Sequence, residues 1–330
     1  MQPPYLLFLG DVGDQLAAKT AHGILEWRRD WCLGQHRLPG CRADLGLPEL
    51  TPAAAAAQGA RTMIVAVANS GGILAEHWQP TILAALEAGL DVASGLHQRL
   101  GDLPVVAETA RHLGRTLTDV RHPGRRFATG TGLRRPGRRL LTVGTDCSCG
   151  KKYTALAIER ELRARGQAAD FRATGQTGIM IAGEGVAIDA VVADFISGAV
   201  EWLAPAAEPR HWDVIEGQGS LFHPAFAGVS LGLLHGAQPD ALVLCHEPTR
   251  RHMRGLPHQK LPALADCIEL NLRCAALTNP EVRLVALSIN TAELPADDRL
   301  PYLERISAEY RLPAVDPLLT GVAAIVDRLR

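Results

Sequence analysis

Residues 142–166 read TVGTDCSCGKKYTALAIERELRARG, with Gly144, Gly150 and Lys151 between a strand-like apolar run and a strongly helical one. A glycine turn opening a helix aims backbone N–H groups and the positive helix end at an anion. Lys151 adds a point charge, so the segment predicts a phosphate-holding loop. The usual nucleotide-binding pattern is G-x-x-x-x-G-K-[ST]. Here five residues, Thr145, Asp146, Cys147, Ser148 and Cys149, separate the two glycines. Lys152 and Tyr153 follow the lysine where a Mg²⁺-binding hydroxyl would stand, and Thr154 offers its hydroxyl later. A carboxylate at Asp146 is awkward beside phosphates unless a cation shares it. Cys147 and Cys149 lie at a helix start beside two lysines, a setting that lowers a thiol pKa. A nucleophilic cysteine that forms a covalent intermediate is one reading, and small residues chosen for packing are the favoured one. Two Cys one residue apart, without a second pair, make a weak metal signal.

Alternating elements must carry this loop. YLLFLGDVGD reads as a buried strand and glycine turn, and DQLAAKTAHGILEWRR has helical spacing. ARTMIVAVANSGGIL repeats the scheme, with Asn69-Ser70-Gly71-Gly72 as its turn, and QPTILAALEAGLDVASGLH adds a helix stopped at Gly89 and a short strand. Strands alternating with helices predict βαβ units and a parallel sheet. Residues 1–120 are thus read as a Rossmann-like N-terminal domain. The stretch 121–139 holds seven Arg with little apolar periodicity, so 121–138 is read as a basic linker. Its arginines either solvate the connection or reach a ligand phosphate. Residues 139–330 make a second α/β domain with a mostly parallel sheet. There QAADFRATGQTG, HWDVIEGQGSLFHP, PDALVLCHEPTR and VRLVALSIN read as strands, and IDAVVADFISGAVEWLA as an amphipathic helix. In open α/β sheets, ligands bind beyond the carboxyl ends of the strands.

The bulk numbers agree with two globular domains. The chain has 330 residues, 47% hydrophobic and 21% charged, with a formal net charge of −1. That charge steers it toward neither nucleic acid nor membrane. No apolar run approaches the ~20 residues of a membrane span, and the N-terminus has no basic, apolar leader pattern. Seven scattered Cys suit reduced thiols, hence a cytoplasmic protein.

GTD…GK at the longer spacing resembles the dethiobiotin synthetase branch of P-loop proteins, and GQTG (175–178) and EGQGS (216–220) fit that branch, so the second domain is expected to be P-loop NTPase-like. A fuller resemblance exists. GTDCSCGKKYTALAIERELRARG, FRATGQTGIMIAGEGVAIDAVVADFISGA, VIEGQGSLFHPAFAGVSLGLLHG and PDALVLCHEPTR, together with GILEWR and AGLDVASGLH, are similar to the D-glutamate N-acetyltransferase family over essentially the whole chain. The resemblance implies acetyl transfer from acetyl-CoA to the amine of D-glutamate, with the loop 144–154 holding coenzyme A phosphates and no metal required. A homo-oligomer is expected as well.

Such chemistry needs a base for the ammonium proton, donors for the thioester oxyanion and cations for two carboxylates. Glu216, flanked by Gly217 and Gly219 after an apolar strand, is the first-choice base. Asp194, beside Asp189 on the expected helix in an apolar setting, and His223 are the others. Arg250 and Arg251 in HEPTRRHMRG, which also offers His252 and Arg254, and Arg172 are candidate carboxylate forks, with Gln176 and Thr177 as further substrate contacts. Two other functions remain open: an ATP- and Mg²⁺-dependent ligase or kinase of the dethiobiotin synthetase type, and a regulatory protein that binds a nucleotide without turnover. The missing hydroxyl after Lys151 counts against the first of these.

Overall fold

The structure is a computed structural model that describes residues 1–15, 17–68 and 70–329. Leu16, within the first expected helix, Asn69, within the expected turn, and Arg330 lie outside the described residues, as does the side chain of Ser70. The chain divides into two compact units, Met1–Gly124 with Gly175–Ala190, and Arg125–Thr174 with Val191–Arg330.

The first unit is built on a parallel sheet of β1 (Tyr5–Gly10), β2 (Cys32–Arg37), β3 (Thr62–Val65), β4 (Asp91–Ser94) and β5 (Leu117–Asp119), in the order β2-β1-β3-β4-β5. All six β1 residues are buried, as a central strand covered on both faces requires. The order reverses beside β1, the hallmark of a doubly wound sheet. Helices Lys19–Trp27, Gln79–Glu87 and Pro104–Leu113 connect the strands. The last stops at Gly114, whose φ of 64° is the left-handed C-terminal conformation glycine adopts without strain. Helix Gln176–Ala182 belongs to this unit and packs on Lys19–Trp27.

The second unit holds a six-stranded, fully parallel sheet in the order β13-β12-β9-β6-β8-β7. Its strands are β6 (Arg138–Gly144), β7 (Ala169–Arg172), β8 (Trp212–Ile215), β9 (Ala241–His246), β12 (Arg283–Ile289) and β13 (Ala314–Val315). A small antiparallel hairpin, β10 (His252–Met253) and β11 (Leu256–Lys260), follows β9. β6 is central, so the order reverses at β6, between β8 and β9. This is where a doubly wound sheet opens its ligand crevice.

Two expectations change in detail. The run 188–204 is not one helix. It is two single turns, Ile188–Ala190 and Ala193–Phe195, before a helix at Ile196–Leu203, and Ala190 ends a segment of the first unit. Most arginines of the expected linker are bound within the protein, while Arg126 is exposed. Arg121 pairs with Asp189. Arg134 pairs with Asp240 at 3.0 Å. Arg125 stacks 4.1 Å from the Trp202 ring. Arg135 donates to Ala204 O and Gly236 O, and buried Arg139 donates to the carbonyls of Arg135 and Pro136. Their charges are used to satisfy chain that has no regular hydrogen-bond ladder of its own.

Candidate functional site

The loop 144–150 leaves the carboxyl end of β6, and helix Lys151–Ala164 follows it. That helix is long and strongly helix-forming, and buries Thr154, Ala155, Leu156, Ala157, Ile158 and Leu162. It begins at Gly150, whose φ of 107° suits glycine, and no side chain caps it. Its first turn therefore offers N–H groups to an anion. Ser148, exposed, takes the left-handed conformation at φ 52°. Gly144 is required by close approach: a Cβ there would come within 2.6 Å of Cys149 Sγ and 2.9 Å of Lys151 Nζ.

Lys151 is folded into the loop. Its Nζ donates to Asp146 O at 2.7 Å and lies 3.6 Å from Cys149 Sγ, which donates to the same carbonyl at 3.1 Å. Asp146 is 1% exposed, and both carboxylate oxygens are engaged. Oδ1 accepts from Cys147 N at 2.6 Å, and Oδ2 accepts from Arg250 at 2.7 Å and from Arg254 N at 2.8 Å. Arg250 also donates to Cys147 O at 2.6 Å. The sequence reading placed Asp146 in the cofactor-holding loop, awkward unless a cation shares it, and Arg250 as a substrate fork. In the structure they pair with each other, and Glu247 also meets Arg250 at 3.3 Å, so both side chains are taken up within the protein.

The rest of the loop is braced from the neighbouring strand ends. Thr145 N donates to Cys245 O at 3.0 Å, and Ser220 Oγ donates to Thr145 O at 3.1 Å. Thr145 Oγ1 meets His246 Nδ1 at 3.1 Å. Burial pushes His246 down to about 4, with Glu247 opposing and Arg250 adding to the shift, so at neutral pH the ring is uncharged. Thr154, expected at the loop mouth, turns inward, bonding Gly150 O at 3.0 Å and Ser288 Oγ at 2.7 Å. Lys152 and Tyr153 are half-buried, with Lys152 Nζ 5.2 Å from the Tyr153 ring.

Glu216 follows β8, beside the loop. It is 5% exposed, and its Oε2 accepts from Thr174 N at 3.1 Å while its carbonyl accepts from Thr174 Oγ1 at 2.6 Å. Gly217 must be glycine: a Cβ would fall 1.6 Å from Thr142 O and 3.0 Å from Lys151 Cδ. The turn 216–220 therefore lies directly against the lysine, an approach that GQG permits.

The other candidates separate from this group. His223 is buried, with Nδ1 accepting from Ala225 N at 3.2 Å and Nε2 facing Arg254 O at 3.3 Å. Both ring nitrogens serve the backbone, which makes it a brace. Asp194 is exposed, on a single turn outside the helix expected to bury it. Arg172 is turned back along β7, bonding Asp213 at 2.6 Å and Asp170 at 3.1 Å, where His211 also lies. Arg251 is exposed. Gln176 and Thr177 belong to the first unit, where Thr177 Oγ1 lies 3.4 Å from Thr20 Oγ1. Sequence reasoning missed Thr142, Thr174, His246 and Ser288, each a small or neutral polar residue at a strand end. Only their position after an apolar run could have marked them.

The surroundings of Cys147 do not favour a thiolate. Burial, the largest influence, raises the Cys147 pKa, with Lys151 opposing. A Cys147→Ala, Cys149→Ala double variant is therefore expected to keep turnover within about tenfold, about 1.4 kcal/mol in barrier. Acetyl trapped on either thiol, or turnover abolished with ligand binding intact, would refute direct transfer.

Comparison with known proteins follows this geometry. Residues 126–326 match the family "Domain of unknown function (DUF1611_C) P-loop domain", and residues 36–123 match its companion "Domain of unknown function (DUF1611_N) Rossmann-like domain". A D-glutamate N-acetyltransferase of Tritonibacter scottomollicae is 51% identical over 100% of this chain and 99% of its own. A D-glutamate N-acetyltransferase of a Pseudoalteromonas species is 50% identical over the same shares. The crystal structure of a DUF1611 family protein from Anabaena variabilis superposes with a TM-score of 0.86 at 29% identity, covering 99% of both chains. Among the described residues no helix is long and apolar enough to cross a membrane. With a Rossmann-like and a P-loop half, and full-length identity near one half to these enzymes, the chain belongs to the DUF1611 family that includes the D-glutamate N-acetyltransferases, and it is an acyltransferase.

Proposed function

We propose that the protein transfers the acetyl group of acetyl-CoA to the amine of D-glutamate, with the P-loop holding coenzyme A phosphates as a handle. The observation that carries this reading is the uncapped helix start after Gly150, beside Lys151, with Asp146 taken up by Arg250 and two backbone N–H groups. In the reaction the ammonium gives up a proton, the amine nitrogen bonds the thioester carbon, and the C–S bond breaks to release coenzyme A. The phosphates change no bonds, so the loop needs only to position them, and holding the thioester against the amine can itself supply several kcal/mol.

We further propose turnover without a divalent metal. Asp146, Cys147 and His223 place one ligand atom each within 4.8 Å of one another, yet both Asp146 oxygens and both His223 nitrogens already have hydrogen-bond partners. The donor set does not fit a metal without dismantling the loop. Dialysis against EDTA is expected to leave activity unchanged, and acetyl-CoA at ~100 Kd is expected to add about 2.7 kcal/mol of stability in thermal-shift measurements. Activity that EDTA abolishes and Mg²⁺ restores, with ATP–Mg²⁺ stabilising the protein in place of acetyl-CoA, would favour an ATP-dependent ligase.

A further inference from the structure

The hairpin β10–β11 is fixed to the loop by its own backbone. Arg254 N donates to the buried Asp146 Oδ2 at 2.8 Å, Arg254 O faces His223 Nε2, and Met253 is buried beneath. Its outward residues are basic. Arg251, His252, Arg254, His258 and Lys260 are all exposed, and the sequence from 248 to 265 contains no Asp or Glu. Among the described residues no carboxylate pairs with any of these five side chains, whereas Arg250, one residue earlier, is pinned by Asp146 and Glu247. His252 and Lys260 stand directly opposite each other across the hairpin.

Coenzyme A carries two separate anionic groups, a diphosphate and, one ribose away, a 3′-phosphomonoester. The loop 144–151 suits the first. Resting on the reading of the loop as the coenzyme A handle, we propose that this basic hairpin, through Arg251, Arg254 and Lys260, is the subsite for the 3′-phosphate. It would then distinguish coenzyme A thioesters from thioesters that lack this group.

The test pairs a ligand deletion with a side-chain deletion. Acetyl-CoA and its 3′-dephospho analogue are compared in the wild type and in an Arg251→Ala, Arg254→Ala, Lys260→Ala variant. These side chains are exposed, so the melting temperature is expected to stay near wild type. In the wild type, loss of the 3′-phosphate is expected to raise KM at least about tenfold, the scale of one charge-assisted contact, with kcat little changed. In the variant, KM for acetyl-CoA is expected to rise to the dephospho value, and the two thioesters to become equivalent. Equal KM for both thioesters in the wild type, or undiminished discrimination in the variant, would overturn the subsite. Calorimetry with Lys151→Ala separates the two readings. Acetyl-CoA affinity lost there, with no discrimination in the wild type, sinks the hairpin alone. No binding of coenzyme A by the wild type sinks the loop reading and the hairpin with it.

Discussion

Glu216→Gln is expected to lower turnover by about 10²–10⁴-fold, the usual contribution of a general base, while acetyl-CoA affinity and melting temperature stay near wild type. The substitution isolates the proton-accepting role. Glutamine has the same shape, and its amide oxygen can still accept from Thr174 N, the contact that ties the ends of β7 and β8 together. What it cannot do is take the ammonium proton. Glu216 lies at the carboxyl edge of the sheet, and the glycine after it lies against Lys151, so a thioester held by the loop and an amine approaching it would meet there. If the carboxylate were only a brace, the melting temperature would fall and turnover would not. Asp194→Asn, at an exposed turn, serves as the comparison and is expected to leave turnover near wild type. Wild-type turnover of Glu216→Gln over the whole pH range would remove Glu216 from the mechanism.

Lys151→Ala is expected to weaken acetyl-CoA binding by roughly 10–150-fold, the equivalent of a charge-assisted hydrogen bond of about 1.5–3 kcal/mol. The fold should survive. Asp146 O keeps a donor in Cys149 Sγ, and the Asp146 carboxylate keeps Arg250 and two N–H groups. The loop's geometry is thus held by groups other than the lysine, so the change reads phosphate attraction rather than collapse. Calorimetry showing unchanged acetyl-CoA affinity would refute the handle.

The two α/β sheets were legible because buried parallel strands are near-continuous apolar runs, such as YLLFLG and ALVLCH, punctuated by glycine. The loop was legible because Gly144, Gly150 and Lys151 are local in sequence. What escaped were pairings between residues far apart in the chain. Asp146 and Arg250 are 104 residues apart, and no spacing rule links them, so each was given a separate ligand role. The same blindness placed Arg172 at the substrate, when Asp213, 41 residues on, holds it. Asp194 failed differently. Apolar spacing suggested one long helix, and the chain instead breaks into single turns before Ile196, leaving the acid in water.

The return of residues 175–190 to the first unit bears on how the protein is made. When residue 124 leaves the ribosome, helix Lys19–Trp27 still lacks Gln176–Ala182 to pack against, and Arg121 still lacks Asp189. At ordinary synthesis rates the missing piece arrives on the order of seconds later, after residues 125–174 have been made. Throughout that interval the nascent N-terminal half lacks this packing, and a chain cut at residue 124 would lack it permanently.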